Sequence, residues 1–484
     1  MAIETTFPLL KNRRTKIVAT IGPASHNPTV ISGLIAAGVN VFRLNMSHGD
    51  HEAHRATYQH LRTAAASAGY AIAILADLAG PKIRIGRLKG GQAVLRPGDR
   101  LTVTTRDIVG DGAIIPSQYA TLAQDLSPGD RILLADGAME LLVKDIHGTE
   151  ILCEITEGGI LKERAGINLP AVNISAPSLT SKDRADAHLA LELGVDFLAL
   201  SFVRNAADLA ELKRLIHDHA SHAAVIAKIE RPEALVDSEA ILKGADGIMV
   251  ARGDLGVELP PEQVPVVQRQ LIDQALALNR PVIIATQMLE SMILNARPTR
   301  AEVADVSLSV SSGTDALMLS GETAIGAHPV LAVQMLDRIA RQTEGYLWHH
   351  GAFGSIGAGK PVAPPIPFGD AVADATALLS RLLSVRAIVV ISESGRTAVT
   401  VSSARPAAPV IAFSANPQTY RRMSLLWGVI PMAASRDELG NPVPLARQAV
   451  QRLGLATSGS HILLVRGFHG NPRRNAPSIT LLSV

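Results

Sequence analysis

The sequence predicts an α/β fold: a (β/α)8 TIM barrel with an inserted small all-β lid and a C-terminal open α/β domain. Three observations predict it. Eight short apolar runs alternate with helix-length amphipathic stretches, the rhythm of a parallel barrel. Between the third run and the fourth, residues 79–176 break that rhythm with turn signals at hairpin spacing. After the eighth unit, a Gly/Pro-rich stretch leads into a second, shorter alternation. The expected domains are a barrel at 1–78 and 177–349, an inserted β-barrel lid at 79–176, a linker at 350–367 and an α/β domain at 368–484.

The barrel strands are expected at Lys16–Ile21, Asn40–Leu44, Ala71–Leu75, Phe197–Phe202, Val225–Ile229, Gly247–Val250, Pro281–Ala285 and Ala316–Leu319. Each is short, apolar and rich in β-branched residues, as strands covered on both faces should be. Helices are expected at Pro28–Ala37, Asp50–Ser67, Lys182–Leu193, Ala206–His219, Pro265–Leu278 and Arg300–Val310. Thr180 and Asn205 stand where capping side chains are needed. In the insert, Pro97-Gly98-Asp99, Pro128-Gly129-Asp130 and Asp136-Gly137 mark turns. The runs Arg100–Thr104, Arg131–Leu134, Glu140–Val143 and Glu150–Ile155 read as strands between such turns. The last domain shows strands at Ala387–Ile391, Val410–Phe413 and His461–Val465, with Ile479–Leu482 as an edge.

Composition narrows the function. The chain is 47% hydrophobic over 484 residues, enough for large cores. Its 46 basic and 44 acidic residues give a net charge of +2 and no reason to invoke nucleic acid or an anionic membrane. No uninterrupted apolar run reaches about 18 residues. One cysteine, Cys153, forms no internal disulfide, and the segment from Met1 to Arg14 lacks a signal-peptide core. Together these point to a cytoplasmic protein.

The chemistry concentrates at strand ends. Lys228 and Glu230 lie two apart on the fifth strand and project to one side. Asp254 is expected to end the sixth strand beside Glu230. A lone Lys-x-Glu is more often a buried ion pair. A second carboxylate at the same edge suits a divalent metal and an anionic substrate instead. Arg43, Asn45 and Ser47 alternate at the end of the second strand, followed by His48. Asp77 ends the third strand, with Lys82 and Arg84 after the Gly80-Pro81 turn. Thr286 ends the seventh, and Ser320-Gly321-Glu322 the eighth. Polar residues at the carboxyl ends of several barrel strands read as an active site. In the last domain, Ser392, Ser394, Gly395, Arg396 and Thr397 lie between a strand and a helix and offer an anion cradle, with Arg473 in a basic loop nearby.

Thr15–Ser25, Asn40–Gly49, Ala227–Glu230, Gly247–Gly256, Ala285–Met292 and Met318–Ala324 together resemble pyruvate kinase. The similarity runs through the whole barrel and includes Gly166–Pro170; the C-terminal domain is similar in layout but looser in sequence. The resemblance implies transfer of the phosphoryl group of phosphoenolpyruvate to ADP. It implies Mg2+, with Mn2+ as a substitute, held by Glu230 and Asp254. It assigns charge neutralisation to Lys228, the phosphate clamp to Arg43 and Arg84, and the nucleotide side to Asn45, Ser47 and His48. Gly253 and Asp254 with Thr286 would receive the substrate, and Thr286 with Ser320 or Glu322 would help protonate the enolate. A regulatory C-terminal domain, a sugar phosphate or AMP as effector, and a homotetramer follow from the same resemblance.

Departures are equally informative. Where the family often has two aspartates, this chain has Ala135-Asp136, and where it usually has a lysine, Ala165 stands. Arg164 or Lys162 would then supply the lid cation. A monovalent-cation site in the family matches Asn45, Ser47, Asp77 and Leu78. Here Leu78 lacks the threonine oxygen and Lys82 replaces a glutamate, so the chain resembles the K+-independent branch and K+ is expected not to be required. The enzyme alternative is a Mg2+-dependent pyruvate-enolate aldolase or a phosphoenolpyruvate mutase-like barrel. The non-enzyme alternative is an inactive metabolite sensor.

Overall fold

The computed structural model describes residues 10–170, 172–353, 364–469 and 471–484. Eight parallel strands close into a barrel in chain order: Lys16–Ile21, Val41–Asn45, Ala73–Asp77, Phe197–Leu200, Ala224–Ile229, Gly247–Ala251, Val282–Ala285 and Ala316–Leu319. Alternate side chains of these strands serve two cores. Val18, Val41, Leu75, Ala199, Ile226, Met249, Ile283 and Met318 belong to the cluster inside the barrel. Ile17, Phe42, Ile74, Leu198, Val225, Ile248, Ile284 and Leu317 pack outward under the helices. Both faces are apolar, which is why the strands read as continuous hydrophobic runs.

Helix signals act where expected. Thr180 accepts from the Asp183 amide while Asp183 returns a bond to the Thr180 amide, and Asn205 caps the next helical stretch in the same way. Asp50 caps His51–Ala68, the helix that leaves the second strand.

The insert holds more strands than its sequence suggests. Gln92–Leu95 pairs with Gly159–Lys162 as a separate two-stranded sheet. A six-stranded sheet adds Ile114–Pro116 and Ile167–Asn168 to the four expected runs. The expected β-barrel of the insert is thus built from a two-stranded and a six-stranded sheet. The added strands are two to four residues long, too short for a period of two to stand out.

The last domain is a five-stranded sheet with one strand the sequence hides, Val429–Ala433. Pro431 sits at its middle and cannot donate to a ladder, so the strand lies at the sheet's edge. Of the expected linker, residues 354–363 lie outside the described residues.

This sheet is welded to the amino-terminal end of the barrel. Leu425 joins the apolar cluster inside it. Arg405, fully buried, donates to Asp315 at 2.8 Å and to the Gly313 carbonyl, and Arg421 pairs with Asp196 at 2.7 Å. Lys16 is buried in this interface and donates to the Val429 carbonyl at 2.6 Å. Burial pushes its pKa down to about 7, with Arg13 and Arg14 pushing the same way and Glu344 and Asp315 opposing. The unfolded chain therefore binds more protons than the folded one between that value and lysine's ordinary 10.5, so stability from this site rises with pH across that window. Lys16→Met does not titrate. The parent is expected to gain melting temperature relative to Lys16→Met as pH rises from neutral towards 10 at constant ionic strength. A gap independent of pH would refute the assignment.

Candidate functional site

A cavity of about 130 Å3 opens at the carboxyl end of the barrel, lined by Arg43, Asn45, Ser47, His48, Asp77, Leu78, Lys82, Arg84, Ser201, Phe202, Lys228, Glu230 and Asp254. Register explains the convergence. Asn45 lies opposite Asp77, Asp77 opposite Ala199, and Lys228 opposite Met249, so each strand delivers its last polar residue to the same rim. Residues from five separate sequence segments meet there because parallel strands end together.

Its centre is a charged network out of water. The Lys228 ammonium donates to Ser201 Oγ at 2.6 Å, lies 2.8 Å from Glu230 Oε1 and lies 3.3 Å from Asp77 Oδ1. Burial opposes its charge, but Asp77 and Glu230 outweigh that and hold the pKa above the ordinary lysine value. Arg43 donates to Asp77 Oδ2 at 2.7 Å and to Thr20 Oγ1 at 3.1 Å. Burial would raise the Asp77 pKa; Lys228 and Arg43 overcome it and hold Asp77 below the usual carboxylate range. Glu230 Oε2 accepts from the Phe202 amide at 2.7 Å. Burial and the nearby Asp254 charge nevertheless push the Glu230 carboxyl upward, against the pull of Lys228.

Asp254 corrects one expectation. It does not end the sixth strand, which stops at Ala251; it lies in the first turn of a helix, Arg252–Glu258. Arg252, at the start of that helix, donates to Asp305 at 2.7 Å and to the Thr286 carbonyl at 2.9 Å. Thr286 and Gln287 both adopt positive φ, 69° and 55°. That is costly for a β-branched residue, and such strain collects at functional sites. The Thr286 hydroxyl accepts from the Gly253 amide at 2.7 Å and donates to the Ala285 carbonyl at 2.6 Å. A Cβ at Gly253 would stand 3.2 Å from that hydroxyl, a tight contact that Thr286 would have to yield to.

A second cavity of about 580 Å3 adjoins the first, lined by Lys82, Asp136, Arg252, Gly253, Asp254, Gln287 and Asp305 among others. Asp136 brings the insert to the site. Arg164 and Lys162, expected to replace the missing lid cation, line neither cavity. Ser320 and Glu322 are also absent from both linings. Glu322 is buried and accepts from the Leu289 and Ser320 amides, so it braces the backbone.

In the C-terminal domain, Ser394, Gly395 and Arg396 line a cavity of about 520 Å3 shared with the barrel, with Arg280, Arg422, Phe468 and His469. Ser392 and Thr397 are buried instead; Ser392 Oγ accepts from the Ala398 amide at 3.4 Å. Arg473 is not among the lining residues. Sequence reasoning missed Ser201 and Thr20, which hold Lys228 and Arg43. Ser201 follows an apolar strand directly, the same signal that exposed Asp77.

The two carboxylates suit a hard dication. No cluster of three or more His, Cys, Asp or Glu fit for a metal occurs among the described residues. A site of two carboxylates completed by substrate oxygens and water is the usual Mg2+ arrangement. The upward push of Asp254 on Glu230 is the kind that a positive ion between two carboxylates would relieve.

Comparison with known proteins shows the family. Residues 12–333 match the family model "Pyruvate kinase, barrel domain", and residues 370–477 match "Pyruvate kinase, alpha/beta domain". A pyruvate kinase of Geobacillus stearothermophilus is 42% identical over 94% of this chain and 78% of its own. One from Agrobacterium vitis is 42% identical over 94% of both chains. The crystal structure of a pyruvate kinase from Cryptosporidium parvum is 35% identical, covers 98% of each chain and superposes with a TM-score of 0.88.

Proposed function

The chain belongs to the pyruvate kinase family, and on that premise we propose that Lys228, Glu230 and Asp254 form the centre of its phosphoryl-transfer site. The enzyme is a phosphotransferase whose substrates are phosphoenolpyruvate and ADP. The observation that supports the site is the buried Lys228 ammonium, held by Ser201 and Glu230 in the cavity that also receives Asn45, His48 and Arg84.

A terminal phosphate oxygen of ADP attacks phosphorus, and the bond from phosphorus to the enolate oxygen breaks. The enolate then takes a proton at its methylene carbon to give pyruvate. Such a transfer asks for positioning and charge neutralisation more than covalent work. Lys228 neutralises the moving phosphoryl group and the enolate, and Arg43 and Arg84 orient phosphates. Asn45, Ser47 and His48 face the nucleotide, and Gly253 and Asp254 lie where the substrate carboxylate enters. Thr286 directs the proton through water, because a hydroxyl is too weak an acid alone. Glu230 and Asp254 would hold Mg2+, or Mn2+ in its place, and the dication would supply positive charge to the substrate's oxygens.

K+ is not required in this reading. Asp77 is already engaged by Arg43 and Lys228, Leu78 is buried without a side-chain oxygen, and Lys82 lines the same cavity. The C-terminal site takes a phosphorylated metabolite, a sugar monophosphate or AMP, and the enzyme is a cooperative homotetramer. Arg280, Arg396 and Arg422 support the first point: all line the interdomain cavity, and none forms an ion pair with a described residue.

The test is a coupled assay of the purified protein with phosphoenolpyruvate, ADP and Mg2+, repeated with a panel of sugar phosphates and AMP. ADP-dependent pyruvate formation is expected, with half-saturating phosphoenolpyruvate falling several-fold for at least one effector. Phosphonopyruvate formed from phosphoenolpyruvate without ADP would favour a mutase, and cleavage of a 4-hydroxy-2-oxo acid to pyruvate an aldolase. An unchanged affinity across the panel would remove the effector site.

A further inference from the structure

Arg231 follows Glu230 directly and is only 3% exposed. Its guanidinium joins three parts of the molecule. Nη2 donates to the Val172 carbonyl at 2.8 Å, where the chain leaves the insert. Nε and Nη2 donate to Glu233 at 3.1 and 2.9 Å, in the first turn of the short helix Pro232–Val236 that Arg231 precedes. Nη1 lies 3.5 Å from Glu258 Oε1, at the end of the helix that carries Asp254. Among the described residues this is the ion pair that joins the loop after Glu230 to the Asp254 helix.

Glu258 is an expensive partner. Its side chain is 3% exposed, and its Oε2 has no hydrogen-bond partner. Burial pushes its pKa up to about 7; Arg231 pulls it down, while Glu233 and Asp254 push it further up. A buried carboxylate with one unsatisfied oxygen costs stability, and sites that keep such a feature usually use it. Both residues line a cavity of about 30 Å3, together with Asp254, Phe202, and the segments Pro81–Ile83 and Ile167–Leu169 by which the chain enters and leaves the insert. Val172 itself belongs to the insert's apolar core.

We propose that Arg231 is a positioning residue: through Glu258 it sets the separation of Glu230 and Asp254, and through the Val172 carbonyl it ties that separation to the seat of the inserted domain. This rests on the reading that those two carboxylates hold the dication. A fork-shaped guanidinium can reach both directions at once, whereas a lysine ammonium offers a single point. Partners that orient metal ligands typically change metal affinity by about 10- to 100-fold when altered.

The experiment measures Mn2+ binding directly, by electron paramagnetic resonance, to the full chain with phosphoenolpyruvate. The variants are Arg231→Lys, Glu258→Gln and their combination. Each single variant is expected to weaken Mn2+ binding about tenfold, and the pair no more than either alone. Glu233→Gln removes a partner of Arg231 that does not touch the Asp254 helix. It is expected to lower the melting temperature and leave Mn2+ affinity unchanged. Hydrogen exchange at residues 166–169 and 172–174 should quicken in Arg231→Lys and not in Glu258→Gln. Unchanged Mn2+ affinity in both single variants, or additive losses in the double, overturns the proposal. Glu230→Gln tests the underlying reading separately, because normal Mn2+ affinity there would remove the metal site itself.

Discussion

Replacing Lys228 with alanine is expected to lower kcat by about 10²- to 10³-fold, the usual cost of removing one preorganised charge from a developing anion. The reason lies in when the ammonium acts. In the resting protein it is balanced by Glu230 and Asp77. As the phosphoryl group moves and the enolate forms, new negative charge appears beside a cation already oriented by Ser201. Stabilisation made mainly in the transition state is lost from kcat more than from substrate affinity. The substitution also leaves two buried carboxylates without their common partner, at a cost of about 3–5 kcal/mol. Melting curves with and without Mg2+ separate the two effects, since a bound dication restores part of the stability and none of the turnover. Asp254→Ala is expected to lose turnover as well. Near-normal turnover in both variants would place the chemistry elsewhere.

The second large effect belongs to Lys82. Lys82→Glu is expected to lower the rate in K+-free buffer by about tenfold or more. A change of about 1.4 kcal/mol suffices, which two charges readily supply at an effective dielectric near 20. The parent should turn over equally well with tetramethylammonium, sodium or potassium at constant ionic strength. The variant should recover in part when K+ is added. Recovery stays partial because Leu78 is buried and has no oxygen to offer, and because Asp77 already carries Arg43 and Lys228. Parent activity that collapses without K+ and returns at millimolar K+ would refute the charge-replacement argument.

Much of this site was legible in the chain. A strand buried on both faces shows as a short apolar run, and a charged residue at its end is conspicuous by contrast. That is how Lys228, Glu230, Asp77 and Arg43 were found, and why the eight barrel strands were placed to within one or two residues. Capping boxes are local by construction, so Thr180 and Asn205 could be read directly. The short strands of the insert, two to four residues long, and Val429–Ala433 escaped because no local period reveals them; their pairing partners lie well away in sequence.

By itself, then, the sequence determined the barrel, the insert's place in it, the C-terminal sheet and the residue types at each strand end. These depend on hydrophobic periodicity and turn chemistry, which act over a few neighbours. Tertiary structure alone decided which of those residues meet. It put Asp254 on a helix and turned Glu322 away from the cavity towards two backbone amides. It set Ser201 behind Lys228 and passed Arg231 between Val172 and Glu258. It also made one interdomain cavity of Arg280, Arg396 and Arg422. The physical reason is that a side chain's partners are fixed by strand register and by packing between elements, and both are settled by the whole core rather than by any local stretch of the chain.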